Sequence, residues 1–242
     1  MRHSRRTTTL ESEALTVGAA PSTGVTRNYR VLVVDDHPLF RQGLMKMLNN
    51  EPDLVVCGEA DCAPKALSAI RSLKPDLVTV DIALKGSNGL ELTKSIKAEE
   101  PGLPVLVISM HEESLYALRS LRAGASGYVM KQEPMELMMR AVRELLAGKI
   151  YISPELNNKL LSSFINQSPG PDNSITDLLT DRELEVFEHI GHGKRLPEIA
   201  EELNLSIKTV ETHRAHIKEK LMVENARDVA RLARDWIESR AT

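Results

Sequence analysis

Short apolar stretches alternate with longer stretches of mixed polarity between residues 29 and 149. The clearest apolar stretches cover residues 31–34, 77–80, 105–108 and 127–130. Runs of four or five β-branched and aliphatic residues are typical of strands that are buried on both faces, as in a parallel sheet. The intervening segments have the length and spacing of helices. The pattern therefore predicts an α/β doubly wound domain with a five-stranded parallel sheet.

The first predicted helix of this domain opens at Pro38, where a missing N–H costs nothing. Its apolar stripe is assigned to Leu39, Leu44, Met47 and Leu48. The later helices are predicted over 62–73, 89–100, 113–122 and 134–147.

The pattern changes after residue 149. Residues 150–175 are rich in Pro, Asn, Ser and Gly, which indicates a linker around one short helix. The remainder of the chain shows no strand pattern and predicts four helices, over 180–190, 197–203, 207–221 and 225–238. Thr180 and Glu183 form a capping box at the start of the first of these helices. The predicted organisation is a disordered extension (1–28), an α/β domain (29–149), a linker (150–175) and an all-α four-helix domain (176–242).

Composition places the chain among ordinary globular proteins. It has 242 residues, of which 42% are hydrophobic and 27% charged, with a formal net charge of −3. No apolar run approaches the roughly 18 residues of a membrane span, so we expect a cytoplasmic protein without membrane contact. Arg5 and Arg6 faintly resemble a twin-arginine export signal, but Glu11 and Glu13 interrupt any apolar region after them.

Polar residues follow the predicted strands where each strand ends. Asp35 and Asp36 follow the first, Asp81 follows 77–80, Ser109 follows 105–108, and Lys131 follows 127–130. Because the carboxyl ends of parallel strands meet at one edge of a sheet, these groups should converge. Neighbouring carboxylates repel each other unless a cation neutralises them, and oxygen ligands suit Mg²⁺.

This arrangement favours phosphoryl chemistry. A carboxylate beside Mg²⁺ can attack a phosphoryl group in line while other groups hold its oxygens. Asp81 is the best candidate nucleophile because it stands alone after the central strand. Asp36 is the expected second metal ligand, and Asp35 is expected to act through water. Ser109 and Lys131 are expected to bind phosphoryl oxygens.

These residues resemble the receiver domain of bacterial two-component response regulators, and residues 35–41 resemble the NarL/FixJ class in particular. The resemblance implies that Asp81 accepts a phosphoryl group from a sensor histidine kinase. It also implies the backbone carbonyl of Ala83 as a third Mg²⁺ ligand, and a switch formed by Ser109 and Tyr128. Two departures are Lys85 and Gln132, at positions where the family often has proline.

The segment 207–221 has one apolar and one polar side. Val210, Ile217 and Leu221 fall on one side of a helical wheel and should face a small core. The opposite side carries Lys208, Glu211, Thr212, Ala215 and Glu219. A helix that exposes polar side chains beside a short preceding helix is typical of helix-turn-helix proteins, which place it in the major groove.

The motifs around this segment are similar to the LuxR-type output domain. They are Leu179-Thr180-x-Arg182-Glu183-x-Glu185-Val186, Glu198-Ile199-Ala200-x-x-Leu203 and Ser206-x-Lys208-Thr209-Val210-x-x-His213. The resemblance implies binding to double-stranded promoter DNA, with contact to RNA polymerase as a further possibility and a homodimer after phosphorylation. The expected DNA contacts are Lys208, Glu211, Thr212 and Ala215 to bases, and Arg214 and Lys218 to phosphates.

The charge of the C-terminal half predicts weak DNA binding by a single protein molecule. Residues 174–242 contain eleven Lys and Arg against fourteen Asp and Glu, a net charge of −3. Nucleic-acid binders usually carry a basic footprint, so useful affinity is expected only from a dimer on two half-sites.

Two positions near the end of the chain leave alternatives open. Met222 stands where the family usually has glycine, and methionine is poor in a left-handed cap, so the preceding helix is expected to run on or bend. Trp236 and Ile237 are assigned either to the core or to a dimer seam.

Two other functions compete with a phosphorylation-controlled DNA-binding regulator, which would not be an enzyme. An aspartate-nucleophile phosphatase usually has a second aspartate two residues after the nucleophile, where this chain has Ala83. A phosphorylation-independent DNA-binding or scaffold protein would have a degenerate receiver, and Lys85 and Gln132 leave room for it.

Coupling between the halves is expected to follow the family. Phosphorylation of Asp81 would draw Ser109 inward, and Tyr128 would turn into the domain and reshape the surface near 113–122. The unphosphorylated receiver would pack against the predicted DNA-recognition helix, 207–221, or block dimer formation.

Overall fold

A computed structural model describes residues 28–158, 175 and 178–240. The predicted N-terminal extension up to residue 27, most of the predicted linker and the last two residues lie outside this part of the chain. The first half contains β1 (Tyr29–Val34), α1 (Pro38–Asn49), β2 (Leu54–Ala60), α2 (Ala63–Leu73), β3 (Leu77–Val80), β4 (Ala83–Leu84), β5 (Ser87–Asn88), α3 (Gly89–Glu99), β6 (Val105–Ser109), α4 (Glu113–Arg122), β7 (Gly127–Met130) and α5 (Met135–Leu146).

Five parallel strands form the predicted sheet, in the order β2-β1-β3-β6-β7. The predicted fold class is thereby confirmed. All four residues of β3 and all five of β6 are buried, which explains why these strands read as unbroken apolar runs. β3 lies at the centre of the sheet, between β1 and β6.

Helices cover both faces of the sheet and divide its core into separate clusters. One cluster joins β1 to α1 and α5 through residues such as Val31, Leu44 and Val142. Another joins the sheet to α2 and α3 through residues such as Ile70 and Ile96.

The apolar stripe predicted for α1 is wrong at one position. Leu44 and Leu48 are buried as expected, but Leu39 is 85% exposed. Leu39 lies in the first turn of α1, beside the exposed residues His37 and Pro38.

A short hairpin follows the central strand, and it was not predicted. β4 and β5 pair in antiparallel fashion, with Ala83 opposite Asn88. Gly86 lies in the turn of this hairpin with a φ of 70°, a conformation that glycine adopts without strain.

The first residues of the predicted linker extend the edge of the sheet. Tyr151 forms an isolated parallel bridge with Gly127. Its N–H donates to the carbonyl of Ser126, and its carbonyl accepts from Tyr128 N–H. A β-carbon at position 127 would lie 2.9 Å from the carbonyl oxygen of Tyr151, so glycine allows the close approach.

The second half consists of α6 (Asp181–Gly191), α7 (Leu196–Glu202), α8 (Ile207–Lys220) and α9 (Ala226–Arg240). The predicted capping box is present at α6, where the side chains of Thr180 and Glu183 bond each other's backbone N–H. Asn204 turns the chain between α7 and α8 with a φ of 51°, and the Ser206 side chain caps α8.

Met222 was expected to let the recognition helix run on or bend, and the helix does not run on. α8 ends at Lys220, and Met222 adopts the left-handed conformation that glycine would take, with a φ of 55°. Its N–H donates to the Glu219 carbonyl and that of Val223 to the Lys218 carbonyl. These bonds satisfy the last carbonyl groups of the helix and offset the backbone strain.

Trp236 belongs to the core of the second half. It is 5% exposed and packs against Phe187 of α6 with ring centroids 5.7 Å apart. Ile237 is partly buried against the same cluster. Among the described residues, no helix is both long and apolar enough to span a membrane.

Candidate functional site

Three carboxylates meet at the carboxyl edge of the sheet. Asp35 and Asp36 follow β1, and Asp81 follows β3. One ligand atom from each lies within 4.8 Å of the others, together with a ring nitrogen of His37. Asp35 and Asp81 are buried, while Asp36 is partly exposed. The strand ends thus bring together the acidic residues that the sequence singled out; these residues are called the acidic cluster below.

Lys131 joins this cluster from the end of β7. Its Nζ lies 2.6 Å from Asp81 Oδ2 and 2.7 Å from Asp35 Oδ2. The Phe40 ring packs against the ammonium group, which lies 4.6 Å from the ring centroid. The lysine therefore supplies one positive charge to three carboxyl groups.

Burial raises the pKa of Asp35, and the charge of Asp81 raises it further. Burial likewise raises the pKa of Asp36, against the opposing effect of His37. Asp36 Oδ1 is buried and accepts no hydrogen bond, although His37 Nδ1 lies 2.9 Å away. A buried, unsatisfied oxygen beside two further carboxylates is the donor set that suits a hard divalent cation, so the residues fit Mg²⁺.

Ser109 and Tyr128 lie next to the acidic cluster and contact the same loop. Ser109 is fully buried, and its Oγ accepts from His111 N–H at 3.2 Å. The Tyr128 hydroxyl donates to the His111 carbonyl at 2.6 Å. Tyr128 is 0% exposed. This hydrogen bond holds the Tyr128 ring inside the domain.

Ala83 begins the hairpin beside the cluster. Its N–H donates to Asp81 Oδ1 at 3.4 Å. The backbone at this residue is therefore near the acidic cluster, as its expected role as a ligand requires.

The polar side of α8 is open to solvent. Val210 and Ile217 are fully buried, and the side predicted to read DNA carries exposed residues, namely Lys208, Glu211, Thr212, Ala215 and Lys218, with Arg214 half-buried at its flank. We call this set the reading face.

The receiver contacts α6 of the second half. Arg119 of α4 bonds the Asp181 side chain and donates to the Leu179 carbonyl at 2.9 Å. The Tyr116 hydroxyl donates to Glu188 at 3.0 Å. The receiver was expected to pack against the recognition helix or to block dimer formation. In this structure its contacts are with α6 and the residues before it, and the reading face on α8 remains exposed.

Several residues of this site were missed by sequence reasoning. His37 lies in the loop between β1 and α1, and its Nδ1 lies 3.6 Å from Asp81 Oδ2. Asn88 and Glu185 form a buried hydrogen bond between the two halves. The position of His37 directly after Asp35 and Asp36 was a signal in the sequence that could have identified it. No local pattern signals a bond between residues 97 positions apart.

Two family models match the chain. The response regulator receiver domain matches residues 31–143, and the luxR family of bacterial regulatory proteins matches residues 177–233. The chain belongs to the response regulators that join a receiver to a LuxR-type DNA-binding domain. It is a transcription regulator of a two-component system, and not an enzyme. This excludes the phosphatase alternative.

Two curated relatives span nearly the same architecture. Response regulator GacA of Pseudomonas aeruginosa is 39% identical over 205 residues, which cover 84% of this chain and 94% of GacA. Oxygen regulatory protein NreC of Staphylococcus carnosus is 33% identical over 84% of this chain and 96% of its own.

A solved structure supports the same class. RcsB of Salmonella enterica serovar Typhimurium, bound to promoter rprA in the presence of the phosphomimetic BeF₃⁻, matches with a TM-score of 0.56 and 26% identity. The match covers 85% of this chain and 98% of RcsB.

Proposed function

We propose that this protein is a DNA-binding transcription regulator switched by phosphorylation of Asp81. The observation that carries the proposal is the meeting of Asp81, Lys131 and the Asp35–Asp36 pair at one sheet edge, in a chain that also exposes the reading face. The proposed domains are a receiver (29–149), a linker (150–175) and a LuxR-type output domain (176–242), after an extension (1–28).

The proposed reaction is transfer of a phosphoryl group from phosphohistidine of a sensor histidine kinase. A carboxylate oxygen of Asp81 forms a bond to phosphorus while the bond from phosphorus to the donor nitrogen breaks. Lys131 lies 2.6 Å from Asp81 Oδ2 and is placed to pair with the transferred group. The Ser109 hydroxyl is the nearby donor for a phosphoryl oxygen.

Asp36, Asp81 and the backbone carbonyl of Ala83 would hold Mg²⁺, and Asp35 would act through water. When bound, the ion would neutralise charge that develops on the phosphoryl oxygens. The unsatisfied Asp36 Oδ1 supports this assignment. A divalent cation also relieves the repulsion that raises the pKa of Asp35.

The reading face supports binding to double-stranded promoter DNA. Lys208, Glu211, Thr212 and Ala215 would meet base edges, while Arg214 and Lys218 would meet phosphates. Within the described part of the chain, no side-chain partner is found for Arg214 or Lys218.

A basic cleft beside the recognition helix adds to this support. Arg214 lines a cleft of about 390 Å³ together with three further cationic residues, Lys194, Arg195 and Arg234. Lys194 and Arg195 pair with Glu202 and Glu198. The cluster still concentrates positive groups next to the reading face, within a half whose net charge is −3, and this favours contact with the phosphate backbone. We propose that useful affinity requires a homodimer on two half-sites, with RNA polymerase as a further partner at the promoter.

The experiment that tests the function is labelling with acetyl phosphate and Mg²⁺, followed by mass spectrometry of the intact protein. Wild-type protein is expected to gain one phosphoryl group, and Asp81→Asn is expected to gain none because the nucleophilic oxygen at the acceptor position is lost. Asp35→Asn serves as the matched control, since it removes the same charge nearby and should only weaken the Mg²⁺-dependent labelling.

Labelling of Asp81→Asn at the wild-type level would place the acceptor elsewhere. Wild-type protein that gains no phosphoryl group but binds promoter DNA would instead support the phosphorylation-independent regulator with a degenerate receiver.

A further inference from the structure

A histidine of the receiver faces a carboxylate of the output domain where the two halves meet. His111 lies in the loop between β6 and α4, and its Nδ1 is 3.5 Å from Oε2 of Glu188 on α6. The side chains of His111 and Glu188 are only 16% and 19% exposed. Charges that are shielded from water interact more strongly than charges on the surface. The charge of His111 should consequently affect how firmly the two halves hold together.

Two tyrosines hold His111 in this position. Its ring lies against that of Tyr116 of α4, with the ring centroids 4.4 Å apart. Its backbone carbonyl accepts a hydrogen bond from the Tyr128 hydroxyl at 2.6 Å. The Tyr116 hydroxyl also donates, at 3.0 Å, to the same oxygen of Glu188 that faces the imidazole. These contacts keep the imidazole next to the carboxylate.

The shielded charges of this contact do not balance while His111 is neutral. Glu185 of α6 is fully buried and pairs with Arg182. Among the described residues, Glu188 forms no ion pair with a lysine or an arginine, and its partners are His111 and the Tyr116 hydroxyl. Two carboxylates thus share one guanidinium. Because an uncompensated charge is costly away from water, a proton on His111 would supply the missing positive charge.

Several ionisable groups face His111 from the elements around it. They are Glu185, Glu188 and His189 of α6, Asp81 after β3, Tyr116 of α4 and Tyr128 of β7. Burial lowers the pKa of His111, but the contact with Glu188 and its charge, together with the charges of Glu185 and Asp81, raise this pKa overall. The pKa of His189 is lowered to about 4, so that residue brings no competing positive charge at neutral pH.

We propose that His111 makes the docking of the output domain onto the receiver sensitive to pH, because a proton on its imidazole completes an ion pair with Glu188. The inference concerns docking itself and does not depend on phosphorylation of Asp81. When the two halves separate, both side chains return to water and the pair is lost. The docked form therefore binds the proton more tightly than the separated form.

The direction of the effect is that acid favours docking. The pKa of His111 in the docked protein lies above its ordinary value near 6.5. A raised pKa stabilises the docked form fully below pH 6.5, and this stabilisation is lost as the pH rises through the raised value. Burial raises the pKa of Glu188, but its contacts with His111 and Tyr116 hold that pKa below its usual range, so Glu188 stays ionised throughout.

The test counts docked and separated molecules of the full chain by single-molecule fluorescence energy transfer. Dyes are attached at Gln42→Cys and Glu224→Cys, two exposed positions, in a Cys57→Ser, Cys62→Ser background. The ratio of docked to separated molecules is expected to rise about threefold to tenfold between pH 8.5 and pH 6. A measurable ratio that stays constant or falls over this range contradicts the proposal.

Three variants identify the responsible group. His111→Gln keeps a polar side chain of similar size without the titration, and Glu188→Gln removes the partner charge, so both should lose the rise in docking. His192→Gln replaces an exposed histidine of the output domain and should keep it. A rise that persists in His111→Gln would transfer the effect to Glu185, whose pKa burial also raises, and would overturn the role of His111.

A second measurement decides the case in which nearly all molecules stay docked at both pH values, or in which His111→Gln lacks a cooperative thermal transition. Nuclear magnetic resonance of histidine labelled with ¹³C at Cε1 follows the titration of His111 in the full chain. His111 should titrate above pH 6.5 in the wild type and at a lower pH in Glu188→Gln. Titration at or below 6.5 in the wild type, or at an unchanged pH in Glu188→Gln, contradicts the proposal.

Discussion

His189 is a half-buried imidazole in the output domain that stays neutral at pH 7. Burial, together with the charge of Lys194, lowers the pKa of His189 to about 4. Glu202 lies 3.3 Å from its Nδ1 but does not reverse the shift, because removal of the charged ring from water costs more than one partly exposed carboxylate returns. The contact is therefore not an ion pair at neutral pH.

This shift predicts an acid-sensitive output domain. A histidine whose pKa is lowered on folding stabilises the fold fully above its ordinary pKa, near 6.5, and that stabilisation is lost as the pH falls towards 4. The loss amounts to about 3 kcal/mol of unfolding free energy. Urea denaturation of wild type and His189→Gln between pH 7 and pH 4 measures this loss. The decrease in unfolding free energy should be smaller in the variant by about 3 kcal/mol. Equal pH dependence of the two proteins would show that other groups control acid stability.

Residues at strand ends could be predicted because their positions follow from the local pattern. The alternation of strands and helices predicted Asp81 and Lys131 at one edge of the sheet, and Lys131 Nζ lies 2.6 Å from Asp81 Oδ2. Asn88 and Glu185 could not be found in this way. Their bond depends on how two domains dock, and no periodicity within either segment records that.

At the scale of single elements, α8 is the helix with the most direct functional consequence. Its apolar side is narrow: Val210 and Ile217 are the buried residues of the helix and pack towards α6 and α7. The reading face on the opposite side is open to solvent. Lys208, Arg214 and Lys218 lie along it from the first turn to the last.

The proposed division of this helix into base-reading and phosphate-binding residues predicts two kinds of mutant. Arg214→Ala and Lys218→Ala should weaken binding evenly across sequences and lower the slope of log affinity against log salt by about one each. Thr212 or Ala215 replaced by a bulky residue should change base preference instead. Fluorescence anisotropy over a salt series separates these effects, with Lys46→Ala on the exposed side of α1 as a matched control. Binding at unaltered specificity and salt slope in all these variants would assign DNA reading to another element.

Helix boundaries were predictable to within about two residues. Met222 was expected to let α8 run on or bend, yet α8 ends at Lys220 and the chain turns at Met222 with a φ of 55°. Hydrogen bonds to the last carbonyls of the helix outweigh the intrinsic preference of methionine. Leu39 fails for a related reason, since helical spacing says nothing about which turn of a helix the sheet covers.

The whole molecule is a receiver docked against the first helix of its output domain, with the recognition helix on the outside. Lys94 and Arg119 approach Asp181 from the receiver, and Arg240 near the end of α9 donates to Ser114 at 2.7 Å. These contacts surround the Asn88–Glu185 bond and leave the reading face open.

Because docking leaves the reading face exposed, we expect the docked protein and the free output domain to bind a single DNA half-site with similar affinity. Unphosphorylated full-length protein and the fragment 174–242 should bind one half-site with similar affinity, because the reading face is exposed in both. On two half-sites, phosphorylation of the full-length protein should increase affinity at least tenfold, which corresponds to about 1.4 kcal/mol. Fluorescence anisotropy on both DNA lengths makes the comparison. Much tighter binding of the fragment to the single half-site would mean that the receiver covers α8 in solution.

The bridge between Tyr151 and Gly127 determines where the receiver can be separated from the rest of the chain. β7 is an outer strand of the sheet, and its exposed backbone groups would otherwise invite strand-to-strand association between molecules. Tyr151 masks part of that edge from within the same chain. A receiver cut at residue 149 would lose this cover and become prone to self-association, whereas one that continues through residue 153 would carry its own protection against aggregation.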